Sequence, residues 1–428
     1  LEKLIDIKSK SKPKQSRAVA KYLAQYAEED TIGINNLNRV YDYVVVVPLC
    51  NESVDCLETI FSNINNNVLI ITVINSPKNK PIWQDTNARL INKLKKESIN
   101  QDDLSINSIL LKFNEFNDVL LVDKNTINQQ IPSDNGVGLA RKIGCDIALR
   151  IYSDGLIKYP WIFSTDGDVI LPRNYFSDSI VNCQNYSALV LDFKHFSDDN
   201  NLNDLQYLYD FKLRYYHAGI VYAGTTYDYI PLGSTLIVNM DCYAQVRGFP
   251  KKNAGEDFYL LNKLTKIKPI KYRNNEIIVN IKSRFSDRVP FGTGPALTKI
   301  DNLIHTDEYK YYNPKCFIHL KNWIDFLQSI WSEGSLKICA PTDKNLHDLY
   351  EFLNCQKVFE NSRAQITSKS RWQQFIQQWF DAFKTLKAVH FFDKKYTRLN
   401  YFQLLKTDAF GKVLNPIFYD FIKDNDKN

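Results

Sequence analysis

The sequence predicts an α/β fold with a mostly parallel central sheet flanked by helices, and three observations support this. Short, uninterrupted apolar runs rich in β-branched residues recur, as in Tyr43-Val44-Val45-Val46-Val47, Val68-Leu69-Ile70-Ile71-Thr72-Val73-Ile74 and Val119-Leu120-Leu121-Val122. Strands this apolar face water on neither side, which is the signature of buried parallel strands. The segments between them have helical composition and spacing, so strand and helix alternate as in βαβ units. At 428 residues the chain also exceeds the usual single-domain size, which predicts one large α/β domain with a smaller appendage.

Composition narrows the class. Hydrophobic residues make up 44% and charged residues 24% of the chain, the balance of an ordinary globule. The net charge of +6 is modest and dispersed, so it does not call for nucleic acid; it suits an anionic small molecule or a membrane surface. Eight cysteines, at 50, 56, 145, 183, 242, 316, 339 and 355, include no CxxC pair and no Cys/His ligand pattern. They read as reduced core thiols of a cytoplasmic protein rather than zinc ligands. The first residues carry no signal-like apolar stretch, and no 18-residue run is both uncharged and predominantly apolar, so a membrane span is not expected.

Taken in order, residues 1–40 form an N-terminal extension: a lysine-rich tail, then Ala18 to Tyr26 with the apolar spacing of a packing helix. The first strand follows, with Pro48 expected to end it. Asn51 and Glu52 come just after, where open α/β sheets bind ligands beyond the carboxyl ends of their strands. Glu52 can serve there as a hydrogen-bond acceptor or as a carboxylate at a helix N-terminus. A helix over about 54–64 and the second strand complete a βαβ unit, whose turn begins Asn75-Ser76-Pro77. A polar, helical stretch with an insertion is expected from Asp85 to about Asn114, before the third strand.

Asn135-Gly136-Val137-Gly138 opens a helix whose small and apolar residues at 140, 143, 144, 147, 148 and 151 fall on one stripe. Its face must pack closely, as Gly144 and Ala148 allow. Arg141 and Lys142 in its first turn, with free amide N–H groups, can meet an anion. The run Trp161-Ile162-Phe163-Ser164-Thr165 then ends in Asp166-Gly167-Asp168. Two carboxylates one residue apart at a strand terminus, with Gly167 expected to let the backbone turn sharply, can hold Mg²⁺ or Mn²⁺ and leave positions open for phosphate oxygens. Further on come a strand over 187–192, an aromatic-rich helix over 203–218, a strand over 233–239, a short helix over 240–246 and the turn Gly248-Phe249-Pro250. Glu256 and Asp257 open another helix. Paired acids there are commonly dipole partners, but near a metal site one of them becomes a candidate general base.

The ordered set Val47-Pro48-x-x-Asn51-Glu52, Gly138-x-Ala140-Arg141, Asp166-Gly167-Asp168 and Arg247-Gly248-Phe249 followed by Glu256-Asp257 resembles the glycosyltransferase family 2 pattern of GT-A enzymes over roughly residues 42–265. The resemblance implies a nucleotide-diphospho-sugar donor, such as a UDP- or GDP-sugar, a divalent cation (Mn²⁺ or Mg²⁺) and an inverting displacement onto a carbohydrate or other hydroxyl acceptor. By position, it implies that Pro48, Asn51, Glu52 and Asn75 lie around the nucleotide, that Arg141 lies near the diphosphate, and that Asp166 and Asp168 bracket metal and donor. Asp257 would be the base, with Glu256 supporting it. Two departures stand out: Asn75-Ser76 replaces the acidic pair common after the second strand, and Arg141-Lys142 replaces the usual Arg-Asn. The chain also lacks Gln-x-x-Arg-Trp, which disfavours a processive polysaccharide synthase.

After a strand over 277–280, Ser283 to Pro295 gathers two arginines and two glycines around Pro290, a cationic loop able to fold over a bound anion. GT-A enzymes tend to place a flexible loop here, so Arg284 and Arg288 are expected to contact phosphate, the alternative being salt bridges to Asp287 and other surface acids. His305 or His319 is the candidate third metal ligand. The catalytic domain is expected over 41–314 and an α-helical subdomain over 315–428, where Trp323, Trp331, Trp372 and Trp379 stand out. A peripheral membrane contact would account for its aromatic-plus-lysine faces, but a buried aromatic core accounts for them as well and is favoured. Two other functional readings fit the same residues: a retaining GT-A transferase, and a non-catalytic sugar-nucleotide-binding protein. A nucleotidyltransferase is disfavoured because Leu49-Cys50-Asn51-Glu52 is not a glycine-rich basic loop.

Overall fold

The computed structural model describes residues 16–34, 37–61, 64–303, 305–331, 339–413 and 416–425. They form two compact units: one of the described residues up to 198 and from 231 to 295, the other of those from 199 to 230 and from 296 onward. The helical unit thus includes residues 199–230 and is discontinuous in sequence, whereas the sequence suggests a single segment from 315.

The first unit is built on one large sheet. Its strands are β1 (Tyr43–Leu49), β2 (Val68–Asn75), β3 (Asn100–Ser105), β4 (Ser108–Lys112), β5 (Asn117–Lys124), β6 (Trp161–Ser164), β7 (Val169–Ile170), β8 (Ala188–Phe196), β9 (Leu236–Asn239) and β10 (Ile270–Lys282). They lie in the order β3-β4-β5-β2-β1-β6-β9-β8-β10-β7. β5, β2, β1 and β6 run parallel. β9 runs against β6 and β8, and β10 runs parallel to β8. Only β4, β7 and β9 oppose the common direction among the described strands, so the sheet is mostly parallel as expected. Every residue of β1 and β2 is buried, which is why neither strand alternates apolar with polar residues.

Two local expectations change. Pro48 does not end β1: it pairs with Val73 of β2, and the strand continues to Leu49. Its missing N–H does no harm. Parallel-strand residues bond alternately to either side, and Pro48 shares the side of Val46, where pairing with β6 has already stopped. The stretch from Asp85 to Asn114 is not one helix with an insertion. It is a helix, Pro81–Glu97, followed by the β3–β4 hairpin.

Five helices that matter below are α1 (Arg17–Gln25), α2 (Cys56–Phe61), α3 (Pro81–Glu97), α4 (Gly136–Ser153) and α5 (Asp178–Val181). After them come α6 (Asn200–Ala223), α7 (Met240–Gln245) and α8 (Glu256–Leu264). α4 packs on β1, β2 and β6, and its close approach is set by Gly144. A β-carbon there would stand 2.4 Å from Val46 Cγ1. The other side of α4 holds α1. Asp146, fully buried, accepts from the Tyr22 and Tyr243 hydroxyls at 2.6 and 2.8 Å, and Lys142 Nζ donates to Asp146 at 2.6 Å and to the Tyr26 carbonyl at 2.9 Å. Burial pushes the Asp146 carboxyl up against the opposing pull of Lys142.

In the second unit, α6 and the helices Lys315–Ser329, Lys344–Phe352, Cys355–Arg363, Lys369–Trp379 and Ala382–Asp393 enclose an aromatic core. Trp323, Trp372, Phe211, Phe317, Tyr350 and Phe392 are buried in it, with Trp331 and Trp379 packed against it. Gly219 in α6 leaves room for the Phe317 ring, 2.3 Å from where a β-carbon would stand. The aromatic residues singled out in the sequence therefore serve a core. Five of the eight free thiols are buried as well, Cys339 being exposed. Among the described residues no helix is long and apolar enough to cross a membrane.

Gly144→Ala is expected to lower stability by about 1–3 kcal/mol, because the added methyl overpacks a fully buried strand. A urea midpoint equal to that of the parent protein would show that α4 can retreat from β1 at no cost.

Candidate active site

The carboxyl ends of β1 and β6, the start of α8 and the loop after β10 supply the candidate residues. The end of β6 and the start of α8 share a partner in Arg141, in the second turn of α4, whose side chain is 3% exposed. Its Nε donates to Glu256 at 2.9 Å, Nη1 to the Ser164 hydroxyl at 2.9 Å, and Nη2 to Asp166 at 2.6 Å. One guanidinium thus joins the end of β6 to the beginning of α8. Burial works against its charge, yet Asp166 and Glu256 hold it above the ordinary guanidinium value. Gly233 makes room for it: a β-carbon there would stand 2.2 Å from Nη2.

The neighbouring Lys142 does not share this role. It faces Asp146 and α1, so only the arginine of the pair reaches the carboxylates. Nor is the start of α4 an open anion site. The 250–253 segment closes over it, with the Gly138 N–H donating to the Lys252 carbonyl at 2.9 Å and with Pro250 and Lys252 carbonyls 2.5 Å from where a Gly138 β-carbon would lie.

A second cluster sits beside the first. Arg284 donates both Nη groups to Glu52, at 2.6 and 2.7 Å, and Nη2 also reaches Asp168 at 2.9 Å. Arg288 donates to Glu52 and to the Cys50 carbonyl. The two loop arginines therefore cover Glu52 and Asp168 rather than Asp287, which faces Lys80. Both oxygens of Glu52 are engaged by these guanidinium groups. Gly167 brings the clusters together. It is not among the glycines with a left-handed backbone, so the turn it occupies requires glycine for space rather than for its backbone conformation. A β-carbon would stand 2.6 Å from Leu49 Cδ2 and 3.1 Å from Glu52 Cγ.

The remaining candidates are placed as follows. Pro48 is buried within β1. Asn51 adopts a left-handed backbone, φ 54°, and its N–H donates to the Asn87 side chain at 2.9 Å. Asn75 is buried at the end of β2, its carbonyl accepting from the same Asn87 at 2.8 Å. Asp257 is half-buried, and one of its oxygens accepts from the Phe258 N–H at 2.6 Å. Burial and the adjacent Glu256 push its carboxyl up to about 7. Burial also raises Asp168, with Arg284 opposing and Glu52 and Asp166 adding to the rise.

The two histidines lie in the helical unit. His305 is exposed before a short turn of helix. His319 sits 2.6 Å from the Tyr396 hydroxyl, between Phe392 and Tyr396 rings, and burial lowers its pKa. Among the described residues no three His, Cys, Asp or Glu groups gather closely enough to hold an ion. The two aspartates nevertheless fit a divalent cation. Each has one oxygen engaged by an arginine, the other accepts no hydrogen bond from a described residue, and both side chains remain partly open, at 31% and 19% exposure. Two hard oxygen donors of this kind suit Mg²⁺ or Mn²⁺ once substrate oxygens complete the coordination.

Sequence reasoning did not single out Ser164, Gly233 or the Cys50 carbonyl as partners. A lone glycine at the start of a strand reads as turn chemistry, and a carbonyl has no sequence signature at all.

No protein-family model matches the chain, and no curated protein sequence matches it. Solved structures similar to it include S. aureus TarS residues 1–349 in complex with UDP-GlcNAc, at 12% identity and a TM-score of 0.35, with 81% of each chain covered. Another is the mannosyltransferase PcManGT from Pyrobaculum calidifontis in complex with GDP-Man and Mn²⁺, at 11% identity and a TM-score of 0.34, covering 88% of this chain and 94% of that one. Likenesses this distant carry no argument about activity, so the functional reading rests on the residues themselves.

Arg141→Met is expected to cost about 3–5 kcal/mol, since it leaves Glu256 buried without its cation; chemical denaturation measures this, and a loss below about 1 kcal/mol would contradict a structural role for the ion pair. A second expectation concerns pH. Asp257 has a raised folded-state value, so its contribution to stability is full below about 4, the unfolded value, and is lost as pH rises through about 7. Asp257→Asn should flatten the fall in stability across that window, measured as melting temperature against pH.

Proposed function

We propose that the chain is a glycosyltransferase that moves a sugar from a nucleotide-diphospho-sugar to a hydroxyl acceptor with inversion at the anomeric carbon. The observation that carries this reading is the Arg141 bridge. It brings Asp166, which with Asp168 forms the candidate metal pair, into one cluster with Glu256, the neighbour of the candidate base Asp257. Acids some ninety residues apart in sequence are thereby gathered around a common point.

In this reading Asp166 and Asp168 would hold a divalent cation, which when bound would supply Lewis acidity against the charge developing on the departing diphosphate. Arg284 and Arg288 meet the phosphates. Their present partners, Glu52 and Asp168, hold two guanidinium groups at the same place, where bidentate recognition of phosphate is geometrically suited to arginine. Glu52 positions those arginines. Asp257 accepts the proton of the acceptor hydroxyl as its oxygen forms the new bond to the anomeric carbon and the bond to the diphosphate oxygen breaks. A carboxyl pushed up to about 7 is a stronger base than an ordinary aspartate and remains substantially ionised at neutral pH. Glu256 and Arg141 fix the start of α8, and with it the position of the base.

The test is direct. UDP- and GDP-sugars with Mn²⁺ or Mg²⁺ should raise the melting temperature, because a ligand that binds only the folded state stabilises it. Asp168→Asn should abolish the metal-dependent part of that rise, and a full shift in this variant would contradict the metal assignment. Once a donor is found, kcat/KM should climb with pH through about 7, the value of Asp257. Asp257→Asn should lower kcat by at least about a hundredfold, with a smaller change in donor affinity, and should remove that limb. A defect confined to donor binding would place Asp257 outside the chemistry. Retention of the anomeric configuration in the product would likewise remove the simple base mechanism.

A further inference from the structure

The loop over 283–292 does more than carry the two arginines. Its first residue is anchored to β8 by the Ser283 N–H, which donates to the Phe196 carbonyl at 2.8 Å. Its middle is fastened by Arg284 and Arg288 to Glu52 and Asp168. Further along the same loop, Phe291 lies against Gly255, the residue immediately before Glu256 and Asp257. Its ring edge is 3.3–3.4 Å from where a Gly255 β-carbon would stand, and Gly255 itself has φ 71°. Although its edge is seated in this way, Phe291 remains 59% exposed.

Single exposed apolar residues are common and need no explanation by themselves. Phe291 differs in its position. It is an open phenyl group held in place one residue from the acidic pair, on a loop whose other side chains cover the carboxylates assigned to the donor. We propose that Phe291 is the platform for the acceptor, and that the acceptor is a pyranose sugar. This rests on the glycosyltransferase reading of the same site and names its second substrate.

A pyranose ring carries hydroxyls around its rim and C–H groups on its faces. The C–H face covers a phenyl ring and removes apolar area from water, while a rim hydroxyl remains free to donate to the nearby carboxylate. An open-chain polyol has no such face, so it gains little from the phenyl group. The arrangement also explains why a glycine precedes Glu256: besides its left-handed backbone, Gly255 leaves the phenyl edge a seat that a side chain would crowd.

The experiment uses the full chain and the donor identified by thermal shift, with methyl α- and β-pyranosides and open-chain alditols as acceptor probes. Transfer is measured against donor hydrolysis in the same reaction. At least one pyranoside should be glycosylated by the parent protein. Phe291→Ala should raise the KM for it by about tenfold, the size of one lost aromatic contact, while Phe291→Trp should retain most of the affinity. The donor-induced melting shift of Phe291→Ala reports that the fold and donor site are intact. If no pyranoside is glycosylated, if alditols are used as well as pyranosides, or if the alanine and tryptophan variants lose equally, the platform assignment is overturned. Failure of every donor to shift the melting temperature would instead overturn the underlying glycosyltransferase reading.

Discussion

The candidate site depends on a single buried cation. Arg141 satisfies Ser164 and Asp166 at the end of β6 and Glu256 at the start of α8, three groups that no regular hydrogen-bonding pattern would bring together. A buried guanidinium is costly unless each of its partners is in place, and removing one partner leaves an uncompensated charge. The interaction therefore acts as a constraint on geometry as much as a source of stability. The small residues around it follow from this. Gly233 clears space for the guanidinium, and Gly167 lets the turn after β6 press against Leu49 and Glu52.

Charge balance sets the electrostatics of this cluster. Five carboxylates, of Glu52, Asp166, Asp168, Glu256 and Asp257, share the guanidinium groups of Arg141, Arg284 and Arg288. The excess negative charge can be relieved by a proton or by an added cation. The raised values of Asp168 and Asp257 are the first of these at work: burial and neighbouring acids make each carboxylate readier to hold a proton than an isolated one. A divalent ion would achieve the same relief while leaving Asp257 free to ionise.

Much of this was legible in the sequence, and the limits of legibility are physical. The valine run of β1 and the isoleucine-rich run of β2 announce central strands because burial on both faces leaves no room for polar alternation. Asp166, Asp168, Glu256 and Asp257 were visible because two acids beside a strand end or a helix start form a local pattern. Long-range pairing was not visible. Arg141 and Lys142 look equivalent as neighbours, yet one step along a helix turns a side chain by roughly 100°, sending Lys142 to Asp146 and α1 while Arg141 meets the carboxylates. The β3–β4 hairpin was hidden because its polar strand, Asn100 to Ser105, lies at the sheet edge with little burial to impose alternation. The loop arginines were read as cations, but their partners, 116 or more residues away, left no trace in local sequence.

The discontinuity of the helical unit has a consequence for biosynthesis. Residues 199–230 emerge from the ribosome between β8 and β9, well before the segments after residue 296 with which they share a core. During that interval the apolar and aromatic side chains of α6, Phe211 and Tyr215 among them, lack the partners that later bury them. A sheet that closes before synthesis is finished inserts β9 between β6 and β8 while α6 on the connection still lacks its core. Hydrophobic surface left open in that way favours aggregation in partly folded chains, so the order in which the two units form bears on yield.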